Sequence, residues 1–237
     1  MRRFVFLFFA VAMFFTANAQ LHKVALVSVY GNKKIDASDF GVINSFKSLG
    51  NDPAFNLKGI ITEVKDSIYS ELGPMFPFDF LPEDKIINNE QYKALGESAK
   101  KGLSKMMYAS PDGYYYIPFT KKYFSQLVDI FKPDSVDGFM VVSVNYSLEK
   151  IVQAMGFGTA KVMAQITLSI YDTRGKLMLL LPVTQVSSES IKFALGGNAM
   201  DASKILPLCH DATMKAFAKL KEKLPKKIEK MEKKYKK

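Results

Sequence analysis

A chain of 237 residues with 48% hydrophobic content is long enough to bury a core as one domain or a little more. Its lone cysteine, Cys209, excludes an intramolecular disulfide, so stability must come from ordinary burial. The formal charge of +10 is uneven: without Arg2 and Arg3 it is +8, and ten lysines from Lys219 to Lys237 against Glu222, Glu229 and Glu232 supply +7.

The chain begins with Arg2-Arg3, an apolar run from Phe4 to Phe15, and the small residues Ala17 and Ala19 around Asn18. That order of basic, apolar and small residues predicts a secretory signal peptide over 1–19. The run is too short for the roughly 20 residues of a membrane-spanning helix. Cleavage after Ala19 would expose Gln20, not a cysteine, so a protein exported to the periplasm or exterior without a lipid anchor is expected. The scarcity of cysteine points to a bacterial envelope. Export also argues against nucleic acid as the partner, despite the basic charge.

Val24 to Tyr30 is valine-rich and closed by Gly31-Asn32, which predicts a buried strand. A short helix is expected over Ser38–Leu49. Asp52 as N-cap, Pro53 in the first turn and the periodic Leu57, Ile60, Ile61, Val64, Ile68 and Leu72 predict a helix, stopped by Gly73-Pro74. Met75–Leu81 fits an edge strand or extended loop, because Pro77 interrupts it. Asn89–Met107 reads as a helix weakened by Gly96 and Gly102. An aromatic stretch with Tyr114, Tyr115 and Tyr116 follows the turn Pro111-Asp112-Gly113, and Thr120–Phe131 reads as a helix.

Alternation over Gly138–Leu148 and Lys161–Tyr171 predicts strands with one covered and one largely open face. Asp172-Thr173-Arg174-Gly175 predicts a hairpin into a third strand, Lys176–Ser187. A final helix capped by Asp201 or Ser203 would turn Ile205, Leu208, Ala212 and Phe217 toward the sheet. The expected fold is α+β: a mainly antiparallel sheet of about four or five strands with helices on one face and a lysine-rich C-terminal helix. Residues 20–224 are expected as one domain, with 225–237 as a basic amphipathic tail.

The chain has no G-x-S-x-G elbow, H-E-x-x-H pair, glycine-rich phosphate loop or paired-cysteine spacing. No catalytic residue, metal or cofactor is therefore assigned. Cys209 and His210 diverge by about 100° on a helix and cannot form a nucleophile–base pair. Two binding candidates stand out. The connection over 149–159 is apolar and rich in glycine, with Ile151, Val152, Met155 and Phe157; it reads either as a short helix folded over the sheet edge or as a docking loop. The tail offers Lys226, Lys227, Lys230, Lys233 and Lys234 beside the stripe Leu224, Ile228, Met231 and Tyr235, a pattern suited to an anionic surface. An aromatic segment at 114–116 could instead stack on sugar rings, the basis of an alternative reading as a secreted enzyme or carbohydrate-binding protein.

Several segments together resemble bacterial envelope modules of the curli-secretion-lipoprotein and penicillin-binding-protein-activator type, and the N-terminal domain of the Tol-system β-propeller protein. They are Val24–Tyr30, the helix over Asp52–Leu72, D-G-F-M-V-V-S-V from Asp137, A-K-V-M-A-Q-I-T-L-S-I-Y-D-T-R-G-K from Ala160, and the closing helix. The resemblance implies assembly or regulatory binding rather than catalysis, and transfers no site residue. Many such modules are lipoproteins, whereas the anchoring cysteine is missing here. The expected role is a non-catalytic binding or assembly accessory, with an envelope protein, an anionic membrane or a cell-surface polymer as partner.

Overall fold

The computed structural model describes residues 21–36, 49, 52–100, 107–154, 157–194 and 201–235. The expected signal peptide, the body of the helix expected from Ser38 and Met155 lie outside the described residues.

Six strands form one sheet: β1 (Lys23–Asp36), β2 (Asp79–Phe80), β3 (Tyr108–Ala109), β4 (Gly138–Ala154), β5 (Phe157–Asp172) and β6 (Leu177–Ala194). Their order is β2-β1-β4-β5-β6, with β3 also paired to β1. The helices whose bounds lie within the described residues are α1 (Lys58–Ser67), α2 (Glu83–Ile87), α3 (Glu90–Lys100), α4 (Lys121–Phe131) and α5 (Ala202–Tyr235). The α+β class agrees with expectation. The sheet, however, is mixed rather than mainly antiparallel, because β1 runs parallel to both β2 and β4. Parallel neighbours need long crossovers, and those crossovers carry helices to the sheet.

Helices lie on both faces, which corrects the one-sided layering expected. Along β4, Tyr146 donates or accepts a 2.9 Å hydroxyl bond with Thr213 of α5. Phe139 differs from Tyr146 by an odd number of residues along an unbroken register, so it points to the other face. There it meets Phe124 and Phe131 of α4 at centroid distances of 5.6 and 6.3 Å. Tyr92 of α3 packs beside Phe131 and donates its hydroxyl to the Val27 carbonyl at 2.8 Å. On the α5 face, α1 joins through Glu63–His210 (2.8 Å), and the turn that extends it through Glu71–Lys221 (2.7 Å). Covered on both sides, β1 is buried without interruption from Val24 to Val29.

Gly31 does not end β1. The strand continues through register shifts to Asp36, and a Cβ at Gly31 would meet the Ile61 side chain at 2.7 Å, so the glycine lets α1 approach. Helix α1 begins at Lys58, not Asp52. Asp52 instead closes a local turn onto the Ala54 N–H, and Asn56 takes the Lys58 N–H at 3.0 Å. Past Ser67 the helix widens into a π turn, Ile68–Leu72, before Gly73-Pro74 stops it.

The C-terminal strands follow their pattern closely but run further than alternation indicated. Strands β4 and β5 pair as far as Ala154 and Phe157, so most of the connection expected over 149–159 is strand, neither short helix nor loop. At the other end Gly175 adopts φ 80°, as the hairpin requires. The Asp172 carboxylate clips that turn by accepting the Arg174 and Lys176 N–H groups at 3.0 and 2.9 Å.

Candidate functional site

Three surfaces draw attention, and the conspicuous titratable groups elsewhere have structural partners. Asp137 accepts the His22 and Lys23 N–H groups at 2.9 and 3.1 Å, tying the start of β1 to β4. Cys209 is buried, and desolvation pushes its thiol pKa up, away from thiolate chemistry. His210 faces Glu63 across the helix layer. Among the described residues no three His, Cys, Asp or Glu side chains converge as a metal site would need.

The first surface is the tip of the β4–β5 hairpin. Ile151, Val152 and Phe157 are 48%, 57% and 68% exposed, half of the large apolar side chains that stand out in solvent among the described residues. The paired backbone holds them up: Val152 lies opposite Thr159, Ala154 opposite Phe157, and Phe157 in turn opposite Ala194 of β6. A register shift between Lys150 and Val152 takes the tip out of strict alternation.

The second surface is the end of α5. Leu224, Ile228 and Met231 are buried against the chain's own core. Each is stabilised by about 1.5–3 kcal/mol where it lies. A bilayer would return no more than that, so the lysines are what the helix end presents outward. Ion pairs engage Lys219 with Glu222, Lys221 with Glu71 and Lys233 with Glu229. Hydrogen bonds and charge from Lys219 hold the Glu222 carboxyl below its usual range, and Lys233 does the same for Glu229. Among the described residues Lys223, Lys226, Lys227 and Lys230 have no such partner and are exposed. Their i, i+3, i+4, i+7 spacing sets them on one face as a basic ridge. Lys223 extends the basic face N-terminally of the tail expected from Pro225. Lys234 continues the helix, which runs to Tyr235 without a break.

These two surfaces lie apart. Asp211 takes the Ser188 N–H on the tip side, Thr213 sits over Tyr146, and Lys221 reaches Glu71, so α5 runs away from the tip. The ridge begins about 15–20 Å beyond Thr213 along the helix, and the tip about 26 Å beyond Tyr146 the other way.

The third surface is the open part of the sheet face opposite α5. Beyond the reach of α4, Ser143, Asn145 and Ser147 on β4, Gln165 and Thr167 on β5, and Thr184 on β6 face solvent in cross-strand rows. A wall of tyrosines bounds these rows. Tyr108 and Tyr116 stack at 4.0 Å between centroids, and Tyr30 meets them edge-on at 5.2 and 4.9 Å. Tyr30 is the β1 partner of Ser143 and bonds its side chain. Burial, helped by the Tyr108 hydroxyl, pushes the Tyr116 pKa up to about 12, so it is a neutral donor at physiological pH. Tyr108 and Tyr116 also line, with Lys58, Lys100, Asp112 and Tyr115, a hollow of about 240 Å³. Tyr114 itself is buried, bonded to the Tyr69 hydroxyl at 2.9 Å, so the triplet at 114–116 does not act as one platform.

No family model and no curated protein sequence matches the chain. Among solved structures it is similar to a hypothetical protein of Chlamydia trachomatis, with TM-score 0.38 and 8% identity over 88% of this chain and 98% of that one. It is also similar to a neuraminyllactose-binding hemagglutinin homolog of Helicobacter pylori, with TM-score 0.35 and 10% identity over 90% and 91%. A lipoprotein of Neisseria meningitidis gives TM-score 0.29 and 13% identity over 84% and 99%. At these scores the likenesses assign neither family nor function. Among the described residues no helix is long and apolar enough to cross a membrane.

Proposed function

We propose that this chain is an exported bacterial envelope protein that works by binding, as a non-catalytic assembly accessory, and that the ridge of α5 docks it on an anionic membrane surface. The observation that carries this reading is the set of four exposed lysines without ion-pair partners, Lys223, Lys226, Lys227 and Lys230, on a helix whose apolar side is already buried. Electrostatic attraction of about 1 kcal/mol per lysine near such a surface gives weak, reversible and salt-sensitive attachment. Its pole position leaves the hairpin tip free to meet an envelope protein.

The test is co-sedimentation with vesicles of mixed zwitterionic and anionic phospholipid. Binding at low salt that fades at high salt is expected. Replacing the four lysines with glutamine should weaken it by at least tenfold, in line with three or more lost contacts of that size. Equal binding at low and high salt, or a variant that binds like the parent, would refute the reading.

A further inference from the structure

We propose that the open sheet face beside the tyrosine wall is a binding site for a neutral oligosaccharide. The rows across β4, β5 and β6 pair Ser143 with Thr167 and Asn145 with Gln165, and Gln165 with Thr184. Planar amides flanked by hydroxyls offer donors and acceptors together, which suits the vicinal hydroxyls of a sugar ring. The wall supplies the other half of such recognition. Tyr30, Tyr108 and Tyr116 are half-buried, locked against one another, and carry apolar ring surface with hydroxyls at the edge. Rigid tyrosines beside small adaptable polar groups make contact area at low entropic cost.

Charge decides the class of ligand. The rows named contain no lysine, arginine or carboxylate. Asp36, opposite Ser147 on β1, is the acidic residue at their border. Further out, Glu149 and Lys161 face each other as an opposite-charge pair. Among the described residues the lysines beside the wall, Lys58 and Lys100, are already paired with Asp112 and Glu97, so a phosphate-bearing or sialylated ligand gains little from charge here and an uncharged glycan loses nothing. This surface lies opposite α5, so glycan binding and the basic ridge do not compete.

The chain contains no tryptophan, so the emission of its eleven tyrosines, the wall's three among them, is read without a tryptophan background. Titration of the purified protein with chitohexaose, maltohexaose and sialyllactose is the experiment. Saturable change with one of the neutral hexasaccharides is expected, weakened roughly tenfold by Asn145→Ala with Gln165→Ala, as loss of two or more hydrogen bonds implies. Both side chains leave the core untouched, and an unchanged circular dichroism melt verifies the fold of the variant. Tyr116→Phe, which keeps the ring, should retain binding better than the amide variant. No saturable response to either neutral sugar, a response unaffected by the amide variant, or a response to sialyllactose alone would each overturn the proposal.

Discussion

Gly96 shows how a single position can carry opposite meanings. As a helix residue it costs about 1 kcal/mol relative to alanine. In the folded chain a Cβ there would stand 2.1 Å from the Tyr115 ring, which packs over α3 beneath the Lys100 ammonium. The overlap outweighs propensity. Gly96→Ala is expected to destabilise by about 1–3 kcal/mol in chemical denaturation, the cost of overpacking; a gain in stability would show that Tyr115 is not held there. The same scale explains why the sequence motif at Asp172–Gly175 was legible while Asp52 was not. The former is a local turn whose carboxylate and glycine act within four residues, but the latter's capping role depended on where α1 could reach β1.

Among elements, α5 departs furthest from its local chemistry. It holds Pro207 and Pro225 inside 34 helical residues. An interior proline removes one backbone bond and crowds the preceding turn, at about 3 kcal/mol. The helix persists because its buried side chains, from Ile205 through Leu220 to Met231, hold it against the sheet. Pro225→Ala is therefore expected to raise stability by up to about 3 kcal/mol, seen as a higher thermal midpoint; a lower midpoint would mean that the helix needs the bend. Strand lengths tell the converse story. Alternation marked the centres of β4 and β5, and β5 keeps it from Phe157 onward, whereas Ile151, Val152 and Gln153 at the end of β4 all stand in solvent past the register shift.

For the whole molecule, the length of the sheet sets how far apart its exposed surfaces lie. Strands of this extent set the exposed hairpin tip and the basic ridge toward opposite ends of the sheet and its helix, so one contact need not involve both. Substituting Ile151→Ser with Phe157→Ser is thus expected to leave anionic-vesicle binding within about twofold, an affinity change of less than 0.5 kcal/mol. Comparable loss from the tip variant and from the lysine variant would show instead that both surfaces touch the same membrane. Helices on the two faces follow from the same topology: once β1 enters beside β4 in parallel, crossovers must pass above and below it.

Local patterns by themselves determined much of this protein: the valine-rich β1, the alternating centres of β4 and β5, the hairpin at Gly175 that leads into β6, and the α+β class. Each depends on spacing within a few residues, which periodicity reports directly. Tertiary structure alone decided the parallel pairing of β1, the second helical layer, and the burial of Leu224, Ile228 and Met231 that turns an apparent amphipathic tail into a basic ridge. It also set Tyr30, Tyr108 and Tyr116 beside the face of the β4–β6 hairpins. Those outcomes rest on contacts between residues far apart in the chain, and a one-dimensional pattern carries no signal for them.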